Sequence, residues 1–234
     1  MKFGVLIFPG SNCDHDMVYT LRDKLGHDVV ELWHKDTDLK GVDAIAIPGG
    51  FSYGDYLRSG ALAKFSPIME KVIEFANYGG LVFGVCNGFQ ILCESGLLPG
   101  TLLHNDNQKF ICKNVFIKPD NNKTPITASL KKDQVLKIPI AHGEGRYFAD
   151  DQTLKEMRLN HQILFRYCSE NGDINSSVNP NGSIENIVGV CNKAKNVFGM
   201  MPHPERAADA ELGNEDGRFI LESMIQSFEN ANKN

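Results

Sequence analysis

Leu81-Val82-Phe83-Gly84-Val85-Cys86-Asn87-Gly88-Phe89-Gln90-Ile91-Leu92-Cys93-Glu94 is the stretch whose reading decides the fold. An apolar run enters a tight turn centred on Cys86, and a helix-like segment leaves it. This is the layout of a nucleophile elbow, with cysteine where many hydrolases carry serine. Glycines two before and two after the cysteine remove Cβ clashes where the backbone doubles back. The helix N-terminus that follows would favour thiolate over thiol. The alternative is a buried cysteine in an ordinary strand-to-helix turn.

The flanking sequence extends this pattern into a sheet. Phe3–Phe8 is a continuous apolar run, as a buried parallel strand requires. Pro9-Gly10-Ser11-Asn12 breaks it, and Ser11 or Asn12 is expected to cap a helix to about Leu25, stopped by Gly26. Asp28–Trp33 and Asp43–Ile47 read as strands. Ser66-Pro67 opens a helix whose Ile68, Met69, Val72, Ile73 and Ala76 share one face. Gly79-Gly80 ends it before the strand into Cys86. The order β-α-β-β-α-β-α predicts an α/β fold: an open, mostly parallel sheet with helices on both faces. Such sheets place sites at the carboxyl ends of strands, here the loops 9–14, 48–55 and 86–88.

The second half differs. Val115–Ile117, Val135–Ile140, Ile163–Cys168 and Ile187–Val190 predict strands, some antiparallel, between polar loops at 118–124 and 175–183. Ile220, Leu221, Met224, Ile225 and Phe228 predict a closing helix, and residues 230–234 are expected to fray. With no repeat and no linker, residues 1–234 are expected to be one domain.

Composition narrows the function classes. The chain has 234 residues, net charge −5 and no Lys/Arg stripe, which argues against a nucleic-acid binder. Six cysteines (13, 86, 93, 112, 168, 191) show no C-x-x-C and no framework spacing, so neither a disulfide scaffold nor a metal ribbon is expected. No apolar run reaches 18 residues and no signal-type segment opens the chain. The expectation is a reduced, cytoplasmic protein without metal or membrane contact.

A cysteine nucleophile needs a histidine to move its proton and a group to hold that histidine. His15, His27 and His34 fall at positions expected to be exposed. His203 lies in Val197-Phe198-Gly199-Met200-Met201-Pro202-His203-Pro204-Glu205. Pro204 biases His203 toward extended conformations, where residues two apart point to one side. His203 and Glu205 should therefore project together. His142-Gly143-Glu144 offers the same spacing on a less rigid glycine, and reads better as part of a substrate-binding loop through Gly145-Arg146-Tyr147. Oxyanion donors are expected from the backbone N–H groups of Gly50, in Pro48-Gly49-Gly50, and of Asn87.

Together these residues resemble the class I (triad) glutamine amidotransferases. Gly-x-Cys-x-Gly-x-Gln at 84–90, Pro-Gly-Gly at 48–50 and His-Pro-Glu at 203–205 occur in that family's order. The runs Phe8–Asp14, Pro48–Arg58, Gly84–Gln90, His142–Tyr147 and Asn179–Ser183 are similar to one branch, whose glutaminase subunits feed ammonia to a large synthetase of purine synthesis. The resemblance implies a flavodoxin-like sheet, Cys86 as nucleophile, His203 as base and acid, and Glu205 as its orienter. It implies glutamine held by Gln90, Ser52, His142 and Gly143. It implies no cofactor in this chain. It also implies a large synthetase partner, which makes formylglycinamidine ribonucleotide (FGAM) with ATP and Mg, and a small accessory subunit. Three other readings compete: the glutaminase of a different synthase, a stand-alone cysteine hydrolase or stress protein, and a non-catalytic binding subunit.

Overall fold

A computed structural model describes residues 1–231. The chain divides into two compact units, 1–98 with 196–200, and 99–195 with 201–234. In the first, β1 (Lys2–Ile7), β2 (Asp28–Trp33), β3 (Ala44–Ile47), β4 (Leu81–Val85) and β11 (Val197–Met200) form a parallel sheet in the order β2-β1-β3-β4-β11. Every residue of β3, β4 and β11 is buried. Successive side chains point to opposite faces, so both faces are covered, as the uninterrupted apolar runs predict. β2 is the exception. Only Leu32 is buried there, and the exposed Asp28 and Glu31 keep this edge from pairing further.

The helices α1 (Asp14–Tyr19), α2 (Pro67–Asn77) and α3 (Asn87–Glu94) follow β1, β3 and β4 in the predicted order. Two caps differ from expectation. The Ser11 hydroxyl accepts from the Phe8 N–H (3.1 Å), closing the loop instead of capping, so α1 starts at Asp14 with Cys13 at the cap position. The helix then widens at Thr20–Lys24, where the Leu25 N–H donates to Thr20 O (3.0 Å), and stops at Gly26 with φ +73°. Ser66 precedes α2 with Pro67 at the first helical position, but its hydroxyl pairs with that of Tyr53 (2.8 Å).

The second unit is antiparallel, in the order β10 (Ile187–Cys191), β9 (Ile163–Cys168), β6 (Ile111–Pro119), β7 (Leu136–His142). Three of these strands contain the predicted runs, and β7 holds all of Val135–Ile140 except Val135. A small pair, β5 (Thr101–Leu103) with β8 (Arg146–Phe148), and helix α4 (Asp151–Leu159) had no counterpart in the sequence reading. The signal for α4 was present: the Asp150 carboxylate caps it by accepting from the Thr153 N–H (2.7 Å). Helix α5 (Asp216–Ala231) buries Ile220, Leu221, Met224 and Ile225. It includes Asn230 and Ala231 of the segment expected to fray, and residues 232–234 lie outside the described residues.

Candidate active site

β4 delivers the chain to Cys86, which adopts φ 51° and ψ −107° at the cap of α3. A non-glycine residue with positive φ is strained, and such strain persists only where the surroundings enforce it. The Cys86 N–H donates to Met200 O (2.8 Å), and Cys86 O accepts from the Gln90 N–H (3.1 Å), so the residue is pinned from both sides. The flanking glycines are sterically required. A Cβ on Gly84 would lie 2.7 Å from the Gly88 carbonyl, and one on Gly88 would strike the Ile47 carbonyl. Gly88→Ala is therefore expected to destabilise the fold by about 1–3 kcal/mol through overpacking, measured as a lower Tm. An unchanged Tm would contradict this account of the turn.

The three predicted loops meet around this elbow. The Phe51 N–H donates to Gly10 O (2.9 Å), the Tyr53 N–H to Pro9 O (2.6 Å) and the Cys13 N–H to Gly49 O (3.3 Å). Gly50 has φ +137°, and a Cβ there would lie 2.6 Å from the Asn12 nitrogen, so only glycine fits. The Ser52 N–H donates to Asn87 Oδ1 (3.2 Å), and Asn87 Nδ2 donates to Gln90 Oε1 (2.9 Å). Gln90 is thus engaged inside the protein through its side-chain oxygen. Ser52 is buried, and its hydroxyl has no hydrogen-bond partner among the described residues. Buried polar atoms of this kind are rare and call for a ligand or water.

His34, expected to be exposed, is buried: its Nδ1 bonds the Tyr53 hydroxyl (2.6 Å), and burial lowers its pKa. His27 is half-buried and His15 exposed. Among the cysteines, burial raises Cys168 to about 11 and Cys191 to about 12, which keeps both protonated at neutral pH.

In the second unit the His203–Glu205 geometry follows the i, i+2 expectation. His203 has φ −100° and ψ 87°, and its Nδ1 lies 2.6 Å from Glu205 Oε1. Both side chains are about 1% exposed or less. A carboxylate only accepts, so Nδ1 carries a proton and donates it to Glu205. The His203 N–H donates to Pro139 O (2.9 Å), which anchors the segment to β7.

His142 ends β7 and is 3% exposed. Its Nδ1 pairs with Asn105 Oδ1 (3.1 Å), and its Nε2 has no partner among the described residues. Asn105 was missed by the sequence reading. Its Oδ1 also accepts from the Gly145 N–H (3.1 Å), and its Nδ2 donates to His142 O (2.9 Å) and Lys109 O (2.8 Å). The Gly143 carbonyl accepts from the Asn105 N–H (2.9 Å). Asn181 Nδ2 donates to Gly145 O (2.8 Å), and the Tyr147 N–H donates to Ser183 Oγ (3.0 Å). The 179–183 motif thus buttresses the 143–147 turn.

Burial, reinforced by the charge of His203, pushes His142 down to about 4. The unfolded chain then binds a proton that the native state refuses between the ordinary value of 6.5 and about 4. The stability this neutral histidine confers is complete above 6.5 and is lost as pH falls to about 4. The loss is about 3 kcal/mol. His142→Asn keeps a donor toward Asn105 and does not titrate, so it should flatten the pH dependence of denaturant unfolding in that window. An unchanged slope would assign the acid sensitivity elsewhere.

Gly50, Ser52, Cys86, Asn87 and Gln90 therefore belong to the first unit, and His142, Gly143, His203 and Glu205 to the second. The family model for the CobB/CobQ-like glutamine amidotransferase domain matches residues 1–233. The chain is 59% identical over 225 residues to the phosphoribosylformylglycinamidine synthase subunit PurQ of Koribacter versatilis, covering 96% of this chain and 97% of that one. It is 54% identical over 233 residues to the subunit of the same name from Moorella thermoacetica, covering 100% and 99%. A chain in the structure of PurLQS from Thermotoga maritima superposes with a TM-score of 0.84 at 41% identity, covering 96% and 97%. With a strained cysteine elbow in one unit and a buried His–Glu pair in the other, and with similarity running end to end, this chain belongs to the CobB/CobQ-like glutamine amidotransferase family.

Proposed function

We propose that this chain is the glutaminase subunit of phosphoribosylformylglycinamidine synthase, and that residues 1–234 work as one glutamine amidotransferase domain. The observation that carries the reading is Cys86 held at φ 51° in a chain similar to PurQ subunits over its whole length. Cys86 Sγ attacks the side-chain carboxamide carbon of glutamine while its proton passes to His203 Nε2. The backbone N–H groups of Gly50 and Asn87 stabilise the oxyanion. His203 returns the proton to the leaving nitrogen, which departs as ammonia and leaves a γ-glutamyl thioester. It then takes a proton from water, whose oxygen attacks the thioester. Glutamate leaves, and the proton returns to Cys86. Glu205 keeps the imidazole in the Nδ1–H tautomer throughout.

Ser52, Gln90, His142 and Gly143 hold glutamine. Support comes from the buried Ser52 hydroxyl and His142 Nε2, both without a partner among the described residues. The ammonia passes to a large synthetase subunit, assisted by a small accessory subunit. That partner carries ATP and Mg and converts formylglycinamide ribonucleotide to the amidine, in the cytoplasm. The relative from Thermotoga maritima belongs to a structure named PurLQS, which supports a multisubunit assembly.

The test measures ammonia release from glutamine with and without the synthetase, ATP and the ribonucleotide. Release that rises when all are present is the expected result. Glutamine turnover indifferent to the synthetase would favour a stand-alone hydrolase.

A further inference from the structure

The loop after β3 is built from unfavourable backbone. Tyr53, Asp55 and Leu57 have φ of 55°, 54° and 69°, beside Gly50 at 137° and Gly54 at 69°. L-residues resist this region because Cβ crowds the neighbouring carbonyl, so such a loop keeps its shape only where other groups hold it. The backbone bonds to Pro9 and Gly10 and the Tyr53 hydroxyl's bonds to His34 and Ser66 supply part of that hold. The Asn87 side chain adds a hold of another kind. Its Oδ1 accepts from the Ser52 N–H (3.2 Å), and its Nδ2 donates to Asp55 Oδ1 (3.4 Å) and Gln90 Oε1 (2.9 Å). Asn87 is 1% exposed, so water does not substitute for these bonds.

We infer that the Asn87 side chain is a positioning residue of the glutaminase reaction. It clasps both ends of the Ser52–Asp55 turn and thereby holds the Gly50 N–H in register with the Asn87 N–H. The inference rests on the reading of these two backbone groups as the oxyanion donors. One residue then supplies a donor through its backbone and sets the other through its side chain. An amide suits this task because it accepts and donates at once. Leucine, of similar size, would strand the Ser52 N–H. Aspartate would accept from it but would place a second negative charge against Asp55.

The test uses the full chain with its synthetase. Asn87→Ala keeps the backbone donor and should lower glutamine-dependent kcat by about 10- to 100-fold, the scale of a small misplacement of a reacting group. Synthesis from added ammonium should stay unchanged, and KM for glutamine should rise less than kcat falls, because Ser52 and Gln90 also lose their bonds to the Asn87 side chain. Alkylation of Cys86 by iodoacetamide, read by mass spectrometry of its peptide, forms no oxyanion and should keep its rate. The swap Asn87→Asp with Asp55→Asn restores the bonds to Ser52 and to position 55 in reversed polarity, with the Gln90 amide turned so that its nitrogen donates, and should recover most of the lost kcat, whereas Asn87→Asp alone should not. Wild-type kcat in Asn87→Ala would overturn the inference. So would a kcat loss matched by an equal loss in Cys86 alkylation, which would mean that the elbow itself had collapsed. Cys86→Ala in the same assay separates the two levels: if it still releases ammonia from glutamine, the thioester mechanism on Cys86 fails, whatever Asn87 does.

Discussion

Cys86→Ala should lower ammonia release from glutamine by about 10⁴-fold or more, the scale seen when a covalent nucleophile is removed, while synthesis from added ammonium continues in complex with the synthetase. In the proposed mechanism the thioester forms only on Cys86, whereas externally supplied ammonia bypasses that step. Alanine also fits the site. Cys86 is buried and its φ of 51° is imposed by the elbow, so removing only Sγ leaves the turn in place. The measurement pairs glutamine-dependent with ammonium-dependent rates on one preparation, with a melting curve to show that the variant is folded. Glutamine-dependent synthesis that survived the change would remove Cys86 from the mechanism. Equal loss of both rates would point instead to a damaged assembly.

Glu205→Gln should reduce kcat for glutamine by about 10²- to 10⁴-fold with little change in KM, as expected when a triad's orienting group is replaced. The native Glu205 carboxylate accepts from His203 Nδ1 at 2.6 Å. A glutamine amide can instead donate to Nδ1, which moves the imidazole proton to Nε2, the atom that must be unprotonated to act as base. The pair is almost fully buried, so water offers little relief. Steady-state ammonia release gives kcat and KM, and nitrogen NMR of the imidazole reports the tautomer. Normal kcat in the presence of the altered tautomer would exclude His203 as the base.

Much of the parallel half was legible in the sequence, for a local reason. Uninterrupted apolar runs such as Ala44–Ile47 and Leu81–Val85 fit only strands covered on both faces, and both are wholly buried. The requirement for Gly84 and Gly88 follows from the sharpness of a single turn. The orientation of Glu205 toward His203 follows from a two-residue spacing and a proline. Each depends on residues close in the chain.

The parts that escaped the sequence depend on distant partners. Asn105 organises His142 and Gly145 from about forty positions away, and no periodicity marks it. His34 looked like a surface residue, but it is buried with its Nδ1 bonded to the Tyr53 hydroxyl, which Ser66 holds in turn. Ser11 and Ser66 stood at plausible cap positions, but their hydroxyls were taken by Phe8 and Tyr53. The short β5 and β8 carry too few residues to show a period. The sequence by itself thus determined the order of elements in the parallel half, the cysteine elbow and the His–Glu spacing, because backbone sterics and side-chain alternation act between near neighbours. Only the tertiary structure decided which buried polar atoms are satisfied, which have no partner among the described residues, and that the Asn87 side chain bonds both Ser52 and Asp55. Those outcomes depend on which donors and acceptors packing brings together out of water.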